Sequence, residues 1–190
     1  MKRYKVKIKG VTPYMQHRMD DLKLEEWEKL RGKIIEREDV AKEDLVRAEF
    51  HMFRDEKGIP FIPAEHLEGS MINAGAFLKS KVGNSRKSMK NIVAAMFSVY
   101  PMQIPLPETW IIDKRSAVNK NVKARIIAIR PKWEKWEAEF ELHVDNDTIT
   151  DQTAKEVLEY AGQYCGIGSF RPTNNGKFGR FIVNSFKLIK

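Results

Sequence analysis

Residues 164–183, Tyr164-Cys-Gly-Ile-Gly-Ser-Phe-Arg-Pro-Thr-Asn-Asn-Gly-Lys-Phe-Gly-Arg-Phe-Ile-Val183, form the stretch best equipped to meet a polyanion. Gly166, Gly168, Gly176 and Gly179 permit positive φ and close backbone approach, and the two asparagines tolerate left-handed geometry. Arg171, Lys177 and Arg180 add charge. Such a loop can bring N–H groups and guanidinium groups to a phosphate chain. The plainer use is a helix C-cap followed by a turn into the last strand. Phe170 and Phe178 offer faces that either stack on bases or pack a core.

The charge pattern supports a polyanion. The net charge is +8, and residues 69–133 carry twelve Lys/Arg against only Glu108 and Asp113. Acids gather in 20–49 and 134–159. The segregation predicts a basic side facing nucleic acid and an opposite acidic side. Arg86, Lys87 and Lys90, read as part of a flexible basic loop, and Lys114 and Arg115 are candidate phosphate ligands. Contacts of this kind release counterions and carry little sequence preference. Segregated charge would also let copies stack head to tail, so a homo-oligomer is expected and a protein-only assembly subunit is an alternative.

The histidines raise a nuclease alternative, since a general acid or base must reach a ribose hydroxyl or a leaving oxygen. His17 and His66 follow loop signals and are the two that could serve, while His51 and His143 lie in strand-like patterns. No catalytic residue is assigned, and the reading leans against an enzyme. The single Cys165 excludes an internal disulfide, and no His/Asp/Glu pair has ligand spacing, so neither metal nor cofactor is expected. No apolar run is long enough for a membrane span, and the alternating Met-Lys-Arg-Tyr-Lys start is not a secretory signal; a cytoplasmic protein is expected.

These residues need a scaffold, and the hydrophobic pattern predicts one. Residues 2–9 alternate as a half-buried strand. Residues 20–49 read as a helical insertion rich in Glu, Lys and Leu. Pro63 opens a helix over 64–78, and 91–100 is apolar and buried. Strands are predicted over 110–115, 120–130 and 136–144, with a hairpin-like connection at 131–135 and a turn at 145–147. An amphipathic helix over 151–165 precedes a last strand over 178–189. Without the insertion the order is strand, helix, strand, strand, helix, strand. That is an α+β, ferredoxin-like (RRM-like) antiparallel sheet with two helices on one face, in a single domain spanning 1–190. Its bare face is where such folds often receive single strands.

Two stretches resemble the RAMP superfamily, which includes backbone and processing subunits of CRISPR effector complexes. Phe61-Ile-Pro-Ala-Glu-His-Leu-Glu-Gly-Ser70 is similar to its Ile-Pro-Gly-Ser-Ser-Leu-Lys-Gly helix start, and 166–181 to its C-terminal glycine-rich loop. Ile8-Lys-Gly-Val-Thr-Pro13 resembles its first strand and following loop. Together they cover a minority of the chain, in the family's order. The chain departs from the pattern at Ala64, Glu65, His66 and Glu68, and its acids weigh against phosphate contact there. Asp20 and Asp21 lie where some relatives place a target-cleaving acid, without matching a motif. The resemblance implies binding of single-stranded RNA or DNA, RNA before DNA, with copies of itself or other effector-complex subunits as partners. It implies a prokaryotic or phage setting and, as the alternative activity, metal-independent endoribonuclease chemistry using histidine.

Overall fold

The computed structural model describes residues 1–18, 40–82, 85–119, 124–145 and 149–189. Of the predicted insertion, 20–39 lies outside the described residues, and the rest is helix α1 (Val40–Phe50). Strand β1 (Lys2–Gly10) runs down the middle of a four-stranded antiparallel sheet between β11 (Phe181–Ile189) and β10 (Glu137–Val144), with β6 (Phe97–Tyr100) at the far edge. Counting only these four, the order is fourth, first, third, second, which is the ferredoxin-like arrangement. Period-two alternation sets the register: Tyr4 lies opposite Leu142, Val6 opposite Phe140 and Ile8 opposite Ala138. All six are buried.

Helices α2 (Ala64–Ala74) and α4 (Asp151–Tyr160) supply the second layer, burying Leu67 and Met71, and Val157 and Leu158. Thr150 caps α4, its hydroxyl oxygen accepting the Thr153 N–H at 3.1 Å. The predicted helix to 165 changes pitch at Ala161 and closes as a π-turn, Ala161–Cys165. The turn packs tightly on β11, where a Cβ at Gly162 would meet the Phe181 carbonyl oxygen at 2.2 Å. Cys165 is buried, and desolvation pushes its thiol up to about 11, well away from a reactive thiolate.

Smaller elements differ from the sequence reading. Helix α2 ends at Ala74 rather than 78, where Gly75 and Ala76 turn the chain. The basic stretch after it is a hairpin, not a loop: β4 (Lys79–Val82) pairs with β5 (Ser85–Ser88). Helix α3 (Lys90–Met96) leads into β6, so 91–100 is half helix. β3 (Phe61–Pro63) pairs with β7 (Gln103–Pro105). β8 (Ile111–Asn119) and β9 (Ala124–Trp133) make a long ribbon extended by β2 (Tyr14–Met15). The ribbon runs through 131–133, because Tyr14 and Met15 pair with Trp133 and Lys132.

The outer sheet face does not resemble a nucleic-acid platform. Lys5 and Lys7 pair with Glu139 at 2.7 Å and Glu137 at 3.1 Å. The Tyr100 ring lies tilted by 40° against His143, centroids 4.6 Å apart, and His143 bonds Glu141 at 3.0 Å. Antiparallel pairing thus brings the basic first strand against the acidic 137–141 block. Lys114 likewise pairs with Asp44 at 2.7 Å, so charge segregated along the chain is partly mixed in space. Exposed pairs of this kind add little stability, but they cancel the local field.

Candidate nucleic-acid interface

The glycine loop is stitched to β2 and to itself. Ser169 N–H donates to the Met15 carbonyl and Gly179 N–H to the Pro13 carbonyl, both at 2.7 Å. Gly166, Gly176 and Phe178 donate to Ala161, Arg171 and Phe170 carbonyls at 2.8 to 2.9 Å. Gly166, Gly168 and Gly179 hold φ of 67°, 74° and 71°. At Gly179 a Cβ would sit 1.8 Å from the Ile167 carbonyl oxygen. The glycines therefore build the loop, and the N–H groups of Gly166, Gly176 and Gly179 are already committed inside it. Arg171 is committed too, donating to the Gly168 carbonyl at 2.8 Å and to Thr173 Oγ1 at 2.9 Å.

What the loop leaves outward is side chain. Lys177 and Arg180 are exposed and form no ion pair among the described residues. Phe170 is 38% exposed and adopts φ of 57°, a conformation that an aromatic L-residue rarely holds. Its ring meets Phe178 edge-on, with centroids 5.4 Å apart. Arg115, reaching across from β8, places its guanidinium 5.0 Å from one ring and 4.8 Å from the other. Sequence reasoning named Arg115, Phe170 and Phe178 separately; the fold brings them into one cluster.

The ribbon behind this cluster is strongly charged. Buried Asp113 accepts two bonds from Arg115 and lies 3.5 Å from Lys132. Burial pushes the Asp113 carboxyl up, but Arg115 and Lys132 outweigh it and hold the group below its ordinary range. Arg130, opposite Asp113 on β9, donates to Ser169 Oγ at 3.0 Å, while its buried Nε has no partner. The sequence reading missed Arg130, because its place opposite Asp113 depends on a register that only the fold reveals.

The histidines separate into two settings. His17 meets His51 edge-on, with rings 4.6 Å apart. The Arg18 carbonyl accepts a bond from His51 Nδ1 at 3.0 Å, so Nδ1 carries the proton and Nε2 the lone pair. Desolvation first, then Arg130 and His51, lower His17 to about 4. His66 stands at the start of α2 with Nδ1 3.0 Å from the Tyr14 hydroxyl; burial and then Arg171 lower it to about 4. Both rings are therefore neutral near pH 7. The remaining candidate cations stand apart: Lys87 and Lys90 are exposed on the hairpin and at the start of α3. Arg86 lies on β5 beside Lys87. The hairpin is tied to the end of α2, by Ser88 Oγ to the Gly75 carbonyl at 3.1 Å. Among the described residues no group of three or more His, Cys, Asp or Glu could hold a metal ion, and no helix is long and apolar enough to cross a membrane.

Comparison with solved structures agrees with this architecture. The fold matches a chain in a cryo-EM structure of the Type III-B Cmr-beta bound to cognate target RNA, with a TM-score of 0.53 and 14% sequence identity. The match covers 100% of this chain and 61% of that one, so the chain spans less than two thirds of its neighbour's length. At that identity the likeness is one of fold. No family model and no curated sequence matches the chain.

Proposed function

We propose that the chain is a RAMP-type single domain that binds single-stranded nucleic acid, RNA before DNA, along its phosphate backbone. It acts as a repeated subunit of a ribonucleoprotein, and residues 20–49 are an insertion upon the domain. One observation carries this reading: the glycine loop fixes Phe170 in a left-handed conformation beside Phe178 and Arg115, with Lys177 and Arg180 exposed on the same loop. Backbone strain maintained by a rigid loop is characteristic of functional sites. An aromatic face beside unpaired cations suits a base and its flanking phosphates. Lys87 and Lys90, with Arg86 on the separate hairpin, are further candidate phosphate ligands. The match to a chain from an RNA-bound complex supports RNA over DNA.

The test is charge reversal of Lys177→Glu with Arg180→Glu, followed by anisotropy titration of a labelled RNA 20-mer over a range of salt concentrations. Removing two phosphate contacts should flatten the slope of log K against log salt by about 1.4. An unchanged slope and affinity would refute the assignment of the loop.

A further inference from the structure

At the start of α2 lies an open cleft of about 420 Å³, lined by Phe53, Phe61, Glu65, His66, Met102 and Gln103. One fully buried side chain, Gln16, braces two of its walls. Gln16 accepts the Phe53 N–H at 2.8 Å and donates to the Phe61 carbonyl at 2.7 Å, so the two aromatic walls share one anchor. It also donates to the Tyr14 hydroxyl at 3.4 Å. Tyr14 is itself fully buried, and the acceptor available to its proton is His66 Nδ1. His66 therefore carries its own proton on Nε2, as a fixed donor. The rings of Phe53 and Phe61 are 6.0 Å apart, and His66 meets Phe53 edge-on at 5.4 Å. Exposed Glu65 precedes His66 in the first turn of α2 and lines the same cleft.

We infer that this cavity receives one nucleobase, guanine best, turned out of the strand that the glycine loop holds. The inference rests on the nucleic-acid reading above and adds a base-specific site to it. Aromatic walls accept the face of any base. A carboxylate beside a fixed N–H donor selects among the edges: guanine presents two neighbouring donors, N1–H and N2–H, next to the O6 acceptor. Adenine and cytosine offer the carboxylate one amino group, and uracil one imino group. Extruding a base costs least from a strand that is already single.

Saturation-transfer NMR of the full chain with each of the four ribonucleoside 5′-monophosphates tests this. Two variants are measured beside the wild type: Met102→Trp, which fills the cavity from a position 51% exposed, and Glu65→Gln, also on the surface. Guanosine monophosphate should bind about fivefold more tightly than the other three, with its base proton saturated more than its ribose. Met102→Trp should weaken it about tenfold. The same variant should leave the low-salt affinity for an RNA 20-mer within about threefold. Glu65→Gln should erase the preference among bases, and decides the matter alone if Met102→Trp does not fold. Equal or absent binding of the four nucleotides, or undiminished binding to Met102→Trp, overturns the pocket. Loss of wild-type RNA 20-mer binding at low salt would instead overturn the nucleic-acid reading.

Discussion

Phe170 allows stability and affinity to be separated at a single position. Its φ of 57° places a side chain where L-residues pay a penalty of about 1–2 kcal/mol. Replacing it with Ala removes the ring and keeps the penalty, whereas Gly removes both. Glycine's larger unfolded-state entropy costs about 0.5–1 kcal/mol, so Phe170→Gly should be the more stable of the two by about 0.5–1 kcal/mol, the reverse of the usual order. For a chain of this length that corresponds to roughly 2 °C in Tm, and loss of the ring's contacts with Phe178 and Arg115 cancels between the variants. RNA affinity should behave differently. Both variants lose one stacking face, about 1–3 kcal/mol, so both should bind a single-stranded RNA at least about fivefold more weakly. Differential scanning calorimetry and fluorescence anisotropy read the two effects. A more stable Ala variant would refute the left-handed geometry, and unaltered affinity in both would refute the stacking role.

Further outcomes follow from the same geometry. His66 sits at about 4 in the folded chain against roughly 6.5 when unfolded, so the unfolded state takes up the proton first. The His66 contribution is thus complete above pH 6.5 and falls as pH drops towards 4, by roughly 2–3 kcal/mol; urea melts at pH 7, 6 and 5 should show it, and His66→Gln should remove that share while His17, lowered likewise, keeps its own. Gly179→Ala combines a positive φ with a Cβ 1.8 Å from a backbone oxygen and should cost at least about 3 kcal/mol in chemical denaturation. Gln16→Leu leaves a buried N–H and two buried acceptors without their partner and should cost about 2–4 kcal/mol by the same assay. Arg86, Lys87 and Lys90 changed together to Glu should weaken RNA binding while leaving the Tm within a few degrees.

The ferredoxin-like scaffold was legible because its signals are local and strong. The alternation of Tyr4, Val6 and Ile8, the alternation through Phe140 and Leu142, and the capped amphipathic helix at Thr150 each point to one element. The basic hairpin was not legible. Its Lys, Ser, Asn and Gly content reads as loop, and only the pairing of Lys79–Val82 with Ser85–Ser88 makes two strands of it. The open sheet face was misjudged for a related reason: sequence blocks of charge say nothing about register, and register set Lys5 and Lys7 against glutamates. At the site, the glycine loop was identified by composition, but its N–H groups were expected to face outward. The cluster of Arg115 with Phe170 and Phe178 depends on a contact between residues more than fifty apart in the chain, which no spacing could reveal. Gln16, the most consequential polar residue in the interior, looks in sequence like an exposed connector.

The central claim is that the chain tracks the backbone of a single strand. Anisotropy titration of the wild-type protein with labelled RNA and DNA of increasing length, from low to moderate salt, tests it most directly. The account predicts affinity that rises with length, favours RNA, and falls with salt along a slope of about −3 for four to five neutralised phosphates. Absence of binding at low salt, or affinity indifferent to salt and length, would contradict it.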